Sequence, residues 1–166
     1  MLNIKFWLRF SIFNLLIVAL FGVVMRYKIG FEFPFFDQKN LQHAHSHFAF
    51  AAWISQTLYI LIYWHLQSVS NNQYLKTFNR LFLINACSAW GMLIAFSIQG
   101  YGAVSIALSQ INTFCSYAFL FYYFKASKNL LHIPSIKWFR WALILNAISS
   151  IGTYVLAYMM INKSIT

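Results

Sequence analysis

Long apolar stretches with almost no charge alternate with short polar or basic ones along the whole chain. Five apolar runs stand out, over residues 6–25, 47–66, 81–99, 101–124 and 138–161. Each approaches or exceeds the ~20 residues a helix needs to cross ~30 Å of hydrocarbon. The expected fold is an all-α integral membrane protein: one domain over residues 1–166, built as a bundle of about five transmembrane helices. The first run reads as a retained helix rather than a cleaved signal peptide, because Arg26-Tyr27-Lys28 follows it and no small-residue cleavage site does. Runs three and four are separated only by Gly100, with Gln99, Tyr101 and Gly102 beside it, which predicts a tight helical hairpin with glycines giving the backbone its freedom.

Composition strengthens the reading. Hydrophobic residues make up 61% of the chain and charged residues 8%, where soluble chains carry roughly 25% charged residues. The net charge of +10 does not point to nucleic acid, because the cations gather at the ends of the apolar runs, where bilayer headgroups and insertion place them. The lipid bilayer is the expected partner, in a membrane such as the bacterial inner membrane.

Lys5, Arg9, Lys76, Arg80, Lys125, Lys128, Lys137 and Arg140 fall on one side of the alternating topology. Arg26, Lys28, Lys39 and Lys163 fall on the other. The bias predicts an N-terminus inside and a C-terminus outside. Trp7, Trp64, Trp138 and Trp141 lie at the inner ends of their runs, as an aromatic belt would. The long outer loop, Gly30-Phe31-Glu32-Phe33-Pro34-Phe35-Phe36-Asp37, is aromatic enough to lie in the interface or fold over the bundle mouth.

That loop holds the only two acidic residues, Glu32 and Asp37. A proton relay through membrane-embedded carboxylates and a carboxylate-bridged di-iron site therefore have no residues to use. Nucleophile-elbow and phosphate-loop motifs are missing as well. Cys87 and Cys115 stand 14 residues on either side of Tyr101, so they should sit at similar depth, as packing residues or as a metal or redox pair. Asn85, Ser88, Gln110, Asn112, Asn146 and Ser149 should face other helices, since an unsatisfied polar group in hydrocarbon is costly.

The chemistry gathers at the start of the second run. Three of the five histidines, His43, His45 and His47, lie within the stretch HAHSHFAF that runs from His43 to Phe50. At ~100° per residue His43 and His47 share one helix face and His45 points to the other. Neutral imidazole ligates haem iron, copper and zinc, and tolerates a low dielectric better than a charged group. Ala44, Ser46, Ala49, Ala51 and Ala52 keep the surroundings small, which suits close helix packing or the approach of a flat macrocycle. His45 is the candidate for a lone axial ligand, and Ser46, Gln42 or loop carbonyls are candidates to hold its other ring nitrogen. A simply hydrated histidine cluster is the alternative. His65 and His132 read as interfacial residues beside polar or basic neighbours.

The HAHSHFAF run, preceded by RYKIGF and FPF stretches, resembles the helix-two region of haem-copper oxidase subunit I. It is closer still to the HAHE-type motif of the related haem- and copper-containing membrane proteins of the nitric-oxide response. The resemblance covers residues 26–53 and implies that a histidine near the outer end of helix two binds a low-spin haem. His43 and His45 match the two motif histidines, His47 is additional, and Ser46 stands where the related motif has an acidic residue. Such subunits continue for more helices that carry the remaining ligands. The resemblance therefore implies an N-terminal portion of an oxidase-like protein with a redox or electron-transfer role. A partner subunit, a second copy or a further segment would supply the other ligands. Two readings from other classes stay open: a non-enzymatic protein that binds or transports a transition metal, and a scaffold helix bundle.

Overall fold

The computed structural model of the protein describes residues 3–70 and 74–163. Five helical rods account for most of them. The first is α1 (Ile4–Gly30), capped by Asn3, whose side chain accepts from the Phe6 amide at 3.0 Å. The second is one continuous rod made of α2 (Gln38–Phe48), a π-helical segment (Ala49–Ser55) and α3 (Gln56–Val69). Next come α4 (Leu75–Gln99) and α5 (Ala103–Ala126). The last rod is α6 (Pro134–Ser149), continued after Ser150 by α7 (Ile151–Lys163). Each apolar run of the sequence lies along one rod, except that Tyr101 and Gly102 belong to the turn before α5.

Taken singly, α1, α4 and α5 are long and apolar enough to cross a membrane. The second and fifth runs are instead divided, the second by the π turn and the fifth at Ser150. Asp37 starts the second rod by accepting from the Lys39 and Asn40 amides, satisfying helix-end donors. Pro134 opens α6 at a position where a missing N–H costs nothing.

The rods alternate in direction and gather equivalent ends. Trp7 Nε1 donates to Asn79 Oδ1 at 3.0 Å, which joins the starts of α1 and α4. Lys125 lies over the ring of Tyr74, and Arg140 over that of Phe124, so the end of α5 and the start of α6 share that end. At the opposite end the start of α2 meets the turn between α4 and α5. Gly100 in that turn has φ 61°, and a Cβ there would stand 2.4 Å from Asn40 Oδ1. Only glycine suits both the left-handed backbone and this approach of α2. Ser105 closes the turn, with its hydroxyl 2.6 Å from the Gly100 carbonyl and 2.9 Å from the Gly102 amide.

Two apolar cores fill the bundle. The one nearer the N-terminus of α1 holds Trp7, Tyr63, Phe78, Phe82, Phe119 and Tyr123 among others. The other holds Phe48, Ala52, Ala89, Met92, Leu93 and Phe96, with Ala44 and Val18. Trp7 is thus a core residue with a satisfied indole N–H, while Trp64, Trp138 and Trp141 remain exposed. The sequence-based aromatic belt loses Trp7 because α1 enters the bundle at its first turn.

Between the two cores lies a layer of amides. Asn85 Nδ2 reaches Gln56 Oε1 at 2.7 Å and the Ala51 carbonyl at 3.1 Å. Asn112 Nδ2 donates to Asn85 Oδ1 at 2.7 Å. Asn14 Nδ2 donates to the Ala52 carbonyl at 2.8 Å and its Oδ1 accepts from Trp90 Nε1 at 3.2 Å. Of the polar residues expected to turn inward, Asn85 and Ser88 are buried and Asn112 bonds across helices. Asn146 is exposed yet donates to Tyr59 Oη at 3.2 Å. Gln110 is half-buried. Ser149 departs from the expectation: it is exposed and bonds the Asn146 carbonyl of its own helix, which satisfies the hydroxyl without a neighbour.

Candidate functional site

The three clustered histidines occupy the last turns of α2, immediately before the π-helical segment. Ala44 and Phe48 on the same helix are fully buried and fix its rotation against the bundle. That rotation sends the imidazoles to two sides, as their spacing requires.

His43 and His47 face the end of α4 and the hairpin turn. The His47 ring stacks on Phe96 with centroids 4.3 Å apart and planes 7° apart. Its Nε2 lies 3.3 Å from the hydroxyl of Tyr101. His43 meets the Tyr101 ring edge-on at 4.6 Å. Its Nε2 is buried and has no hydrogen-bond partner. Two imidazoles and one phenol therefore share a small volume roofed by aromatic rings. Tyr101 belongs to this site through contact across 54 positions of sequence. Its place at the hairpin tip was visible in the sequence, but its neighbour was not.

His45 lies on the opposite side, against α1. A Cβ on Gly22 would stand 3.6 Å from His45 Cε1, so no side chain of that residue intervenes. His45 Nδ1 is buried without a partner. Ser46, one candidate to hold it, instead turns its hydroxyl to the His43 carbonyl at 3.1 Å, and Gln42 is exposed. The histidines do not converge on one point. Among the described residues no three His, Cys, Asp or Glu side chains come together in a way that could hold a metal ion. Histidine chemistry on α2 is consequently split into a His43–His47–Tyr101 face and a His45 face.

The π-helical segment joins this site to the amide layer. Its wider turns carry carbonyls that neighbours reach from the side. Those of Ala51 and Ala52 accept from Asn85 and Asn14 respectively, and that of Trp53 from Thr57 Oγ1. Asn14, Gln56, Asn85 and Asn112 were individually visible in the sequence as polar residues in apolar runs. What was not visible is that Asn14 and Asn85 reach the backbone of the π segment, while Gln56 and Asn112 bond Asn85 itself.

The remaining candidates lie elsewhere. His65 sits at the other end of the second rod, with Nε2 2.8 Å from Ser135 Oγ, and His132 is exposed. Cys115 is buried, with Sγ 3.2 Å from the Leu81 carbonyl, whereas Cys87 is exposed; both are free thiols. The aromatic loop between α1 and α2 folds on itself: Lys28 Nζ donates to the Phe33 carbonyl at 2.7 Å, and Phe33 contacts the rings of Phe35 and Phe36.

No family model, no curated protein and no solved structure matches the chain.

Proposed function

We propose that this chain is an integral membrane protein that binds a redox-active transition metal, as copper or haem iron, through the histidines of α2. The observation that carries the reading is the pair of buried imidazole nitrogens without partners, His43 Nε2 and His45 Nδ1. A buried polar atom left unpaired costs about 1–3 kcal/mol. Two of them within three residues, on a rod with no Asp, Glu, Lys or Arg from Asn40 to Val69, are explained if each donates its lone pair to a metal. The helices of this reading cross the bilayer with the N-terminus inside, which puts the histidines at the outer face.

The two sides of α2 suit different groups. Phe96 and Tyr101 cover the His43–His47 side closely, so it fits a single ion rather than a macrocycle. Two imidazoles with a phenol oxygen are nitrogen and oxygen donors of the kind copper(II) accepts. The His45 side packs against Gly22 of α1, and His45 would be the residue to hold a haem iron there. Either group, when bound, supplies one-electron chemistry. The protein's own part is to present ring nitrogens and to hold His47 through its Phe96 and Tyr101 contacts. Remaining coordination positions would be filled by a partner subunit or a second copy.

The test is the absorption spectrum and metal content of the purified full chain, alone and with His43, His45 or His47 changed to alanine. Copper should be lost with His43→Ala or His47→Ala, and a Soret band with His45→Ala. A wild-type protein holding neither copper nor haem would sink the reading. The histidines would then be packing groups that join α2 to the hairpin turn.

A further inference from the structure

The bundle end opposite the histidines of α2 carries an excess of positive charge that no side chain of the protein neutralises. The only two acidic side chains, Glu32 and Asp37, lie between α1 and α2. That is the far end of α5, whose 24 residues span ~36 Å at 1.5 Å per residue. Lys137 and Arg140 of α6 are therefore cations without a carboxylate of their own.

Both line a cavity of about 280 Å³ together with Phe124, Leu131, Trp141 and Ile144. A second cavity of about 260 Å³ shares Lys137 and Trp141 and adds Pro134 and Trp138. The Arg140 guanidinium is fixed in place: its carbon lies 4.1 Å from the Phe124 ring centroid and Nη2 donates to the Phe124 carbonyl at 3.4 Å. Its Nε is buried without a partner. A guanidinium has five N–H donors, and this single bond leaves most of them unused. Beside it, Trp138 and Trp141 expose 75% and 57% of their surfaces, far more than indoles facing water ordinarily do.

We infer that this pocket on α6 binds the headgroup phosphate of an anionic phospholipid. Held donors and an unpaired lysine suit a phosphate. Leu131, Ile144 and the two indoles suit the glycerol and the upper acyl chain, which a free phosphate would leave uncovered. With no carboxylate nearby to receive a choline or ethanolamine ammonium, net negative lipids are favoured over zwitterionic ones. Basic pockets among helix ends at the inner face are where such headgroups bind. The inference rests on the membrane reading above but not on the histidines.

The experiment incorporates the full chain into vesicles of phosphatidylcholine, with or without phosphatidylglycerol, and then measures lipid retention by native mass spectrometry from a mixed detergent–lipid solution. Phosphatidylglycerol should be retained in preference to phosphatidylcholine. Lys137→Gln and Arg140→Gln should each lower that preference roughly five-fold, the effect of one cation near an anionic surface. Lys76→Gln, at the same end but outside the pocket, should leave it unchanged. Lys137 is exposed, so its variant tests the site even if the Arg140 variant does not fold. Equal retention of both lipids, or an equal loss with Lys76→Gln, would overturn the site while leaving membrane insertion intact. Displacement of phosphatidylglycerol by millimolar inorganic phosphate would overturn the lipid assignment in favour of a soluble anion. Failure of the protein to float with either vesicle would overturn the membrane reading itself.

Discussion

His47 lies flat on Phe96, ring on ring, while its Nε2 stands 3.3 Å from the Tyr101 hydroxyl. This pairing ties α2 to the end of α4 and to the turn that follows it. Tyr101→Phe removes the hydroxyl alone and should cost about 0.5–1.5 kcal/mol. His47→Ala also removes the stacked ring, worth a further 0.5–1.5 kcal/mol or so. Thermal unfolding in detergent of both single variants and the double variant measures the coupling. Strict additivity would mean that the two side chains do not interact.

Asn85 is the hub of the amide layer, donating to Gln56 and to the Ala51 carbonyl and accepting from Asn112. Asn85→Ala strands a carbonyl and two side-chain amide groups inside the bundle, and should cost about 2 kcal/mol or more. Asn112→Ala should cost less, since Asn112 is only half-buried. The coupling between the two is expected near the ~0.6 kcal/mol typical of polar contacts between membrane helices. Unfolding titrations with a denaturing detergent would read all three values, and a silent Asn85→Ala would refute the hub.

Gly100 combines φ 61° with an approach to Asn40 that leaves no room for a Cβ. Gly100→Ala should destabilise the fold by about 1–3 kcal/mol from the backbone of φ 61° and ψ −135° alone, and by more from the collision. Adding Asn40→Ala removes the collision but not the backbone cost, so the double variant should recover part of the loss. Full recovery would show that the backbone conformation is free, and no recovery that Asn40 is not the obstacle.

The charge bias and the alternating rods together predict sidedness. A periplasm-specific reporter placed within residues 32–39 or after Thr166, which lies outside the described residues, should be active. The same reporter after Lys76 or Lys128 should be silent. An inverted pattern would reverse the orientation and move the α6 pocket to the outer face.

What the sequence determined by itself was whatever depends on neighbours along the chain. Helix positions followed from apolar runs of bilayer length, the hairpin from Gly100 and Gly102, and the two-sided display of His43, His45 and His47 from helical periodicity. The packing of rods decided the rest, because it depends on which faces meet. That packing set Phe96 against His47 and Tyr101 beside His43. It buried Trp7, which the chain alone would leave in a belt, and left Ser149 exposed. It also brought amides from α1 and α4 to the carbonyls of residues 49–55. Nothing local in Ala-Phe-Ala-Ala-Trp-Ile-Ser announces that Asn85 and Asn14 donate to the Ala51 and Ala52 carbonyls of this π segment. Distances between residues some 20 to 80 positions apart are set by tertiary packing, and the candidate site is made of such distances.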